Sequence, residues 1–136
     1  MLRAITALAS GQDPLRQIPI KGSGGDRAQA PVGIPEFAYD GNSGTYARFD
    51  SSSWQQHSYY FGEHFITHII VRNHNYEGPI LTVKIAGIER SAGGSNQDVR
   101  IDVNAKASSI YFSDITGGRN RLYEVSIFGH KNKPAN

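Results

Sequence analysis

An antiparallel all-β sandwich of about eight short strands is the fold this sequence predicts. Three observations support it. Apolar and polar residues alternate through Leu81, Val83 and Ile85 and again through Val99, Ile101 and Val103, the period-two pattern of strands with one buried face. No apolar i, i+3, i+4 stripe persists long enough for a stable amphipathic helix. Fifteen glycines and seven tyrosines favour turns and strands over helices.

The elements follow in chain order. Residues 2–9 alternate weakly, as a short strand or an irregular arm. From Gly11 to Pro35 the chain is rich in Gly, Pro, Gln and Ser, and prolines 14, 19, 31 and 35 exclude a long helix. Leu15, Ile18 and Ile20 suit an edge strand, where proline is tolerated. The run Gly22-Ser-Gly-Gly25 lacks the Lys-Ser/Thr ending of a phosphate-cradling loop and reads as a flexible turn. Residues 1–35 are therefore expected to form an extended arm, which either packs along the domain or reaches a partner. Residues 36–130 form the sandwich, and residues 131–136 a polar tail.

Within the body, Thr45–Phe49 is a strand, followed by a polar loop that carries the only tryptophan, Trp54. His57–Phe61 is a second strand, ending at Gly62. Phe65–Val71 is nearly continuously apolar and fits a strand buried on both faces. Asn73–Gly78 is a loop closed by Pro79, and Ile80–Ile85 is a half-buried strand. Glu89–Gln97 is a glycine-serine loop before the strand at Val99–Val103. Ser109–Ser113, the turn Thr116-Gly-Gly118 and the strand Leu122–Phe128 complete the body. No internal repeat is present.

Composition excludes several functions. At 136 residues the chain makes one domain, able to bury roughly two-thirds of its unfolded surface. The pI near 9.0 accompanies a formal net charge of only +2, and the basic residues are scattered. A nucleic-acid binder shows a clustered basic face, so nucleic acid is not expected as a partner. No apolar run approaches the roughly 20 residues of a membrane span. The apolar part of residues 1–9 is shorter than the core of a secretory signal, so conventional export is not expected. Without cysteine there are neither disulfides nor thiolate metal sites, and neither redox environment is excluded.

One turn concentrates oxygen donors. Phe37–Tyr46 contains Asp40-Gly41 and Ser43-Gly44 as successive turn signals between aromatic-rich segments. Asp40 offers a carboxylate, Asn42 an amide oxygen, Thr45 a hydroxyl and the bent backbone its carbonyls, a donor set suited to a hard cation such as calcium. A plain surface turn, with Asp40 bonding its own backbone, is equally compatible with these residues.

The order of these features resembles the discoidin or coagulation-factor C-type domain, a galactose-binding-like jelly-roll sandwich found in family 32 carbohydrate-binding modules. The matching residues are Asp40-Gly-Asn-Ser-Gly-Thr45, Tyr60-Phe-Gly62, Ile66–Val71 and Tyr123-Glu-Val-Ser-Ile-Phe-Gly129, covering the body from Phe37 to Gly129. The resemblance implies a structural calcium ion held by Asp40, Asn42 and Thr45, with Glu124 completing the shell and Phe37 lending its carbonyl. The residues support this in one respect. Strand alternation places Glu124 on one face with Leu122, Ser126 and Phe128, where a carboxylate wants a cation or a donor. The sequence departs from the family pattern where Tyr46-Ala47 replaces a tryptophan after the turn and Tyr60-Phe61 replaces an aspartate-leucine pair.

A shallow sugar site needs a flat aromatic and a few Arg, His or Asn donors. The loop Arg72-Asn-His-Asn-Tyr76 has this composition, and Arg72 and Asn75 loosely match sugar-bonding positions of the family. The expected ligand-binding residues are Trp54, His57, Arg72, His74, Asn75 and Tyr76. A polar hairpin loop and a core tryptophan are the structural alternatives. His64 and His68 lack further ligands for zinc, no nucleophile elbow occurs, and no carboxylate pair stands out. The chain is therefore read as a non-catalytic module recognising carbohydrate. The alternative is a structural or adaptor part of a larger assembly, such as a phage tail or virion, docked on a protein partner through the sandwich and residues 1–35.

Overall fold

Two long strands shape this protein, because the short apolar runs of the sequence are joined rather than separated. The computed structural model describes residues 14–25, 35–50, 56–113 and 119–131. Among the described residues the strands are β1 (Arg16–Ile18), β2 (Gly22–Gly25), β3 (Ala47–Asp50), β4 (Gln56–Glu77), β5 (Thr82–Ile85), β6 (Ile88–Ser91), β7 (Ser95–Ser113) and β8 (Arg119–His130), with a 3-10 turn at Pro35–Ala38 before β3. All pairings are antiparallel, in the order β1-β8-β4-β7-β5-β6, with β2 added on β4 and β3 on β8. This is the expected all-β, galactose-binding-like sandwich.

The two expected strands on either side of Gly62 are one strand, β4, and those at Val99–Val103 and Ser109–Ser113 are likewise one, β7. Gly62 adopts a φ of 80° where the β4–β7 register shifts between Tyr60 and His64. Such a bulge bends a strand without ending it. The first part of β4, Gln56–Tyr60, pairs with β2 and with Ser109–Ser113, whereas His64–His74 pairs with Ser95–Ala107 and also with β8. Each long strand thus serves both layers. The loop expected at Asn73–Gly78 is corrected in the same way, since β4 runs on to Glu77.

Alternation translated directly into burial in the two segments where the sequence shows it most plainly. Leu81, Val83 and Ile85 are at most 3% exposed, and Ile101 and Val103 are also buried. Between the layers, Tyr59 meets Phe112 edge-on at 5.7 Å, and Phe49 lies 6.5 Å from the same ring. Aromatic pairs at such separations add to the energy of their burial.

Of the two courses expected for the arm, its described part takes the first and packs along the domain. Ile18 is 1% exposed, and Arg16–Ile18 pair with Ile127–Gly129 of β8. Gly22–Gly25, expected as a flexible turn, forms β2 against His57–Tyr60. Residues 14–25 therefore pack on their own body. Residues 1–13 and the polar tail beyond 131 lie outside the described residues, as does the turn at Thr116–Gly118. Among the described residues no helix is long and apolar enough to cross a membrane.

Candidate functional site

The oxygen-rich turn joins Pro35–Ala38 to β3, and Gly41 supplies its positive φ of 77°. Its hub is Thr45. The Thr45 hydroxyl lies 2.6 Å from Asp40 Oδ2, 3.0 Å from the Asn42 carbonyl and 3.4 Å from the Phe37 carbonyl. A hydroxyl has one proton to donate, so three acceptors converge on a single donor. That excess of oxygen acceptors is the chemistry of a hard-cation site, and the residues present fit one. Asn42 differs from expectation in detail. Its side-chain oxygen accepts from Gly44 N at 2.8 Å, so it is the main-chain carbonyl that faces the cluster. Asp40 Oδ1 likewise accepts from Asn42 N at 2.9 Å.

Glu124 reaches this region by a route that alternation misses. In the β4–β8 ladder Arg72 pairs with Glu124 but Asn73 pairs with Leu122, leaving Tyr123 as an extra residue. Leu122 and Val125 both point inward, while Tyr123 and Glu124 between them are half-buried. The expectation that Glu124 shares a face with Leu122 is corrected: the bulge turns Glu124 out of the core. It lines a cleft of about 240 Å³ together with Tyr39 and Gly41 of the turn. Among the described residues no three His, Asp or Glu side chains cluster as metal ligands, so a cation here would rely on hydroxyl and main-chain oxygens beside the carboxylates.

A second constellation lies next to the turn. Arg121 holds its guanidinium 4.5 Å from the Tyr46 ring centroid and 4.6 Å from that of Tyr76. His74 stacks on Tyr76 at 4.0 Å with the planes 19° apart, and Tyr123 lies 5.4 Å from Tyr46. The register explains the assembly. His74 of β4 pairs with Arg121 of β8, and Ala47 of β3 pairs with Leu122, which brings Tyr46 beside Tyr123. A polar contact with Tyr123 raises the Tyr76 phenol above its ordinary value, with burial adding to the shift. Burial works against the charge on Arg121, but contacts with Tyr123, Tyr46 and Tyr76 outweigh it and raise its pKa further. Beside this stack is a cleft of about 140 Å³ walled by Tyr46, Arg48, Tyr76, Arg119 and Arg121, with buried Phe49 and Asn120 behind them.

The expected ligand-binding residues divide. His74 and Tyr76 belong to the aromatic–arginine stack. Arg72 lies nearby and pairs with Asp98 at 3.2 Å. Asn75 is a brace, donating to the Pro79 carbonyl at 3.0 Å and to Asn120 Oδ1 at 3.1 Å. His57 is a correction: it is fully buried, packs against Phe49 at 4.4 Å and donates through Nε2 to the Arg48 carbonyl at 2.9 Å, so it cannot meet a surface ligand. Trp54 lies outside the described residues. Sequence reasoning missed Tyr46, Arg121 and Tyr123. The signal was present in the alternation of Arg119, Arg121 and Tyr123 along β8, and in an aromatic directly after Thr45.

No family model matches the sequence, and no curated protein matches it. Solved structures do. The family 32 carbohydrate-binding module of NanJ from Clostridium perfringens, solved with galactose, superposes with a TM-score of 0.60 and 17% identity over 85% of this chain and 99% of the module. A fucose-binding module of Streptococcus pneumoniae gives 0.57 and 14% over 86% and 91%. A truncated AlyQ with family 32 and alginate lyase domains gives 0.63 and 14%, with 88% of this chain covering 34% of that one. The chain thus spans the length of single modules but about a third of the AlyQ chain. Its fold is the discoidin-like fold of family 32 carbohydrate-binding modules.

Proposed function

We infer that this protein is a non-catalytic carbohydrate-binding module, that it grips a sugar at the Tyr46–Arg121–Tyr76 face, and that a calcium ion braces the turn beside it. The observation that carries the reading is the stack itself. Tyr76 is 46% exposed, yet it is held rigidly between His74 and Arg121. A flat aromatic held still stacks on the apolar C–H face of a sugar at little entropic cost, while neighbouring N–H groups bond its hydroxyls. The likeness to modules solved with or named for sugars supports the same reading, but fold alone does not decide function, so the site has to carry it.

The proposed calcium ligands are the Phe37 and Asn42 carbonyls, the Asp40 carboxylate and the Thr45 hydroxyl, with Glu124 closing the shell from β8. Calcium would neutralise the two carboxylates and lock the turn. Thr45 and Glu124 immediately adjoin Tyr46 and Tyr123, so a locked turn would also fix two members of the aromatic face.

The test is binding of the full chain to an array of neutral and charged glycans, followed by the same measurement on Tyr76→Ala. Binding that falls at least about tenfold in the variant, at an unchanged melting midpoint, is expected. Absence of binding to any glycan overturns the reading.

A further inference from the structure

Three arginines converge on the cleft beside the stack. Arg48, Arg119 and Arg121 all line it, and no acidic side chain does so among the described residues. Glu77 touches Arg119 from outside at 3.5 Å, with both side chains more than half exposed, so water screens that pair strongly. Two tyrosine rings, Tyr46 and Tyr76, lie against the Arg121 guanidinium at 4.5 and 4.6 Å. Its five N–H groups lie in the guanidinium plane, where a ring face does not satisfy them, and one contact with Tyr123 leaves donors over. A planar fork fixed in this way matches an acceptor with two or three equivalent oxygens. A neutral hydroxyl would do less than an anion to offset the partly desolvated charge of Arg121. At about 140 Å³ the cleft is smaller than pockets that engulf a whole ligand, which run to about 300–1,000 Å³. It has room for one substituent of a sugar lying across Tyr76.

Resting on the carbohydrate reading above, we propose that the site selects anionic saccharides, with Arg121 and Arg119 taking a carboxylate or sulfate group carried by the sugar. The two sources share one chemistry, a compact anion with equivalent oxygens, and they are separated by the choice of probes.

Titration calorimetry of the full chain would use four oligosaccharides: a galacturonate trimer, its fully methyl-esterified counterpart, a sulfated galactose trimer and its unsulfated counterpart. The expected result is at least about tenfold tighter binding of a charged probe than of its neutral twin, weakening as salt is raised from low to physiological levels. Arg121→Gln should abolish that preference and Arg121→Lys should keep only part of it, since lysine retains the charge without the fork. Arg90→Gln, on β6 at the far end of the strand order from β8, should change nothing. Equal affinity for charged and neutral twins, or equal loss in Arg90→Gln, overturns the charge selection and leaves carbohydrate binding standing. The same holds if neutral glycans bind and neither charged probe does. If no saccharide binds at all, the carbohydrate reading fails and this proposal fails with it.

Discussion

The Thr45 hydroxyl lies 2.6 Å from the Asp40 carboxylate while two main-chain carbonyls face the same oxygen. Calcium bound as proposed would meet this set only in the folded chain, because its ligands come from one turn, Phe37–Thr45, and from the distant strand β8. Calcium should therefore raise the melting midpoint. At a hundredfold excess over its dissociation constant the gain is about 2.7 kcal/mol, and each kcal/mol moves a domain of this size by roughly 4 °C. Asp40→Ala should abolish the shift. A midpoint that neither calcium nor chelator moves would remove the turn from consideration as a metal site.

How much of this was legible in the sequence depends on whether side-chain period survives into the fold. It does at Leu81–Ile85 and at Ile101 and Val103, where each of these apolar residues lands inside even though the β4–β7 register shifts just after Asp102. It fails at Leu122–Glu124, where the extra residue Tyr123 reverses the facing of everything that follows. It has nothing to work on in Gly22–Gly25, whose pairing with His57–Tyr60 is made by backbone alone. The turn could be read because its donors are contiguous. The arginine-lined cleft could not, since its residues come from β3, β4 and β8 and meet only through register.

Asn120 should matter more than its polar character suggests. It is 1% exposed, and its Oδ1 accepts from Asn73 Nδ2 at 3.0 Å, Asn75 Nδ2 at 3.1 Å and Leu81 N at 3.2 Å. It also donates to the Pro79 carbonyl at 3.2 Å. Asn120→Leu keeps the approximate volume but strands those donors, and each buried group left unmade costs about 1–3 kcal/mol. Chemical denaturation should show a loss of at least about 2 kcal/mol. A change within experimental error would mean that the amide network is not shared in this way.

A pH dependence is expected from His68. It is buried and stacked on Phe128 at 4.7 Å with the planes 5° apart. Burial, reinforced by Arg100 and opposed by Asp102, lowers its pKa from the ordinary 6.5. The unfolded chain then binds the proton more readily than the folded one, so stability from this group is complete above about 6.5. It declines as pH falls below that value and levels off once the folded-state pKa has been passed. Comparing melting midpoints of the wild type and His68→Gln between pH 7.5 and pH 5 (chosen to bracket the ordinary value, about 6.5) isolates the effect. The wild type should lose more than the variant, and parallel curves would exclude His68 as the source.

A close backbone approach at Gly129 predicts a severe effect of a small substitution. Gly129 pairs with Ile66 of β4 and with Arg16 of β1 near the end of β8, and a methyl group placed there would run into the Phe65 carbonyl and the Ile66 backbone. Neither obstacle is a side chain that could rotate away. Gly129→Ala must therefore push β8 away from β4, at a cost of about 1–3 kcal/mol or more for an overpacked site. The loss should come with faster amide exchange at Ile66 and Ile127, the buried residues of the two strands beside the clash. Gly87→Ala offers the comparison. Gly87 sits instead in a tight turn, at a φ of 79°, and an added methyl there meets nothing within 4 Å. It should cost only its backbone strain, about 1–2 kcal/mol, and leave exchange at Ile66 unchanged. If the two substitutions destabilise equally and neither alters exchange between β4 and β8, the close approach is not what requires glycine at position 129.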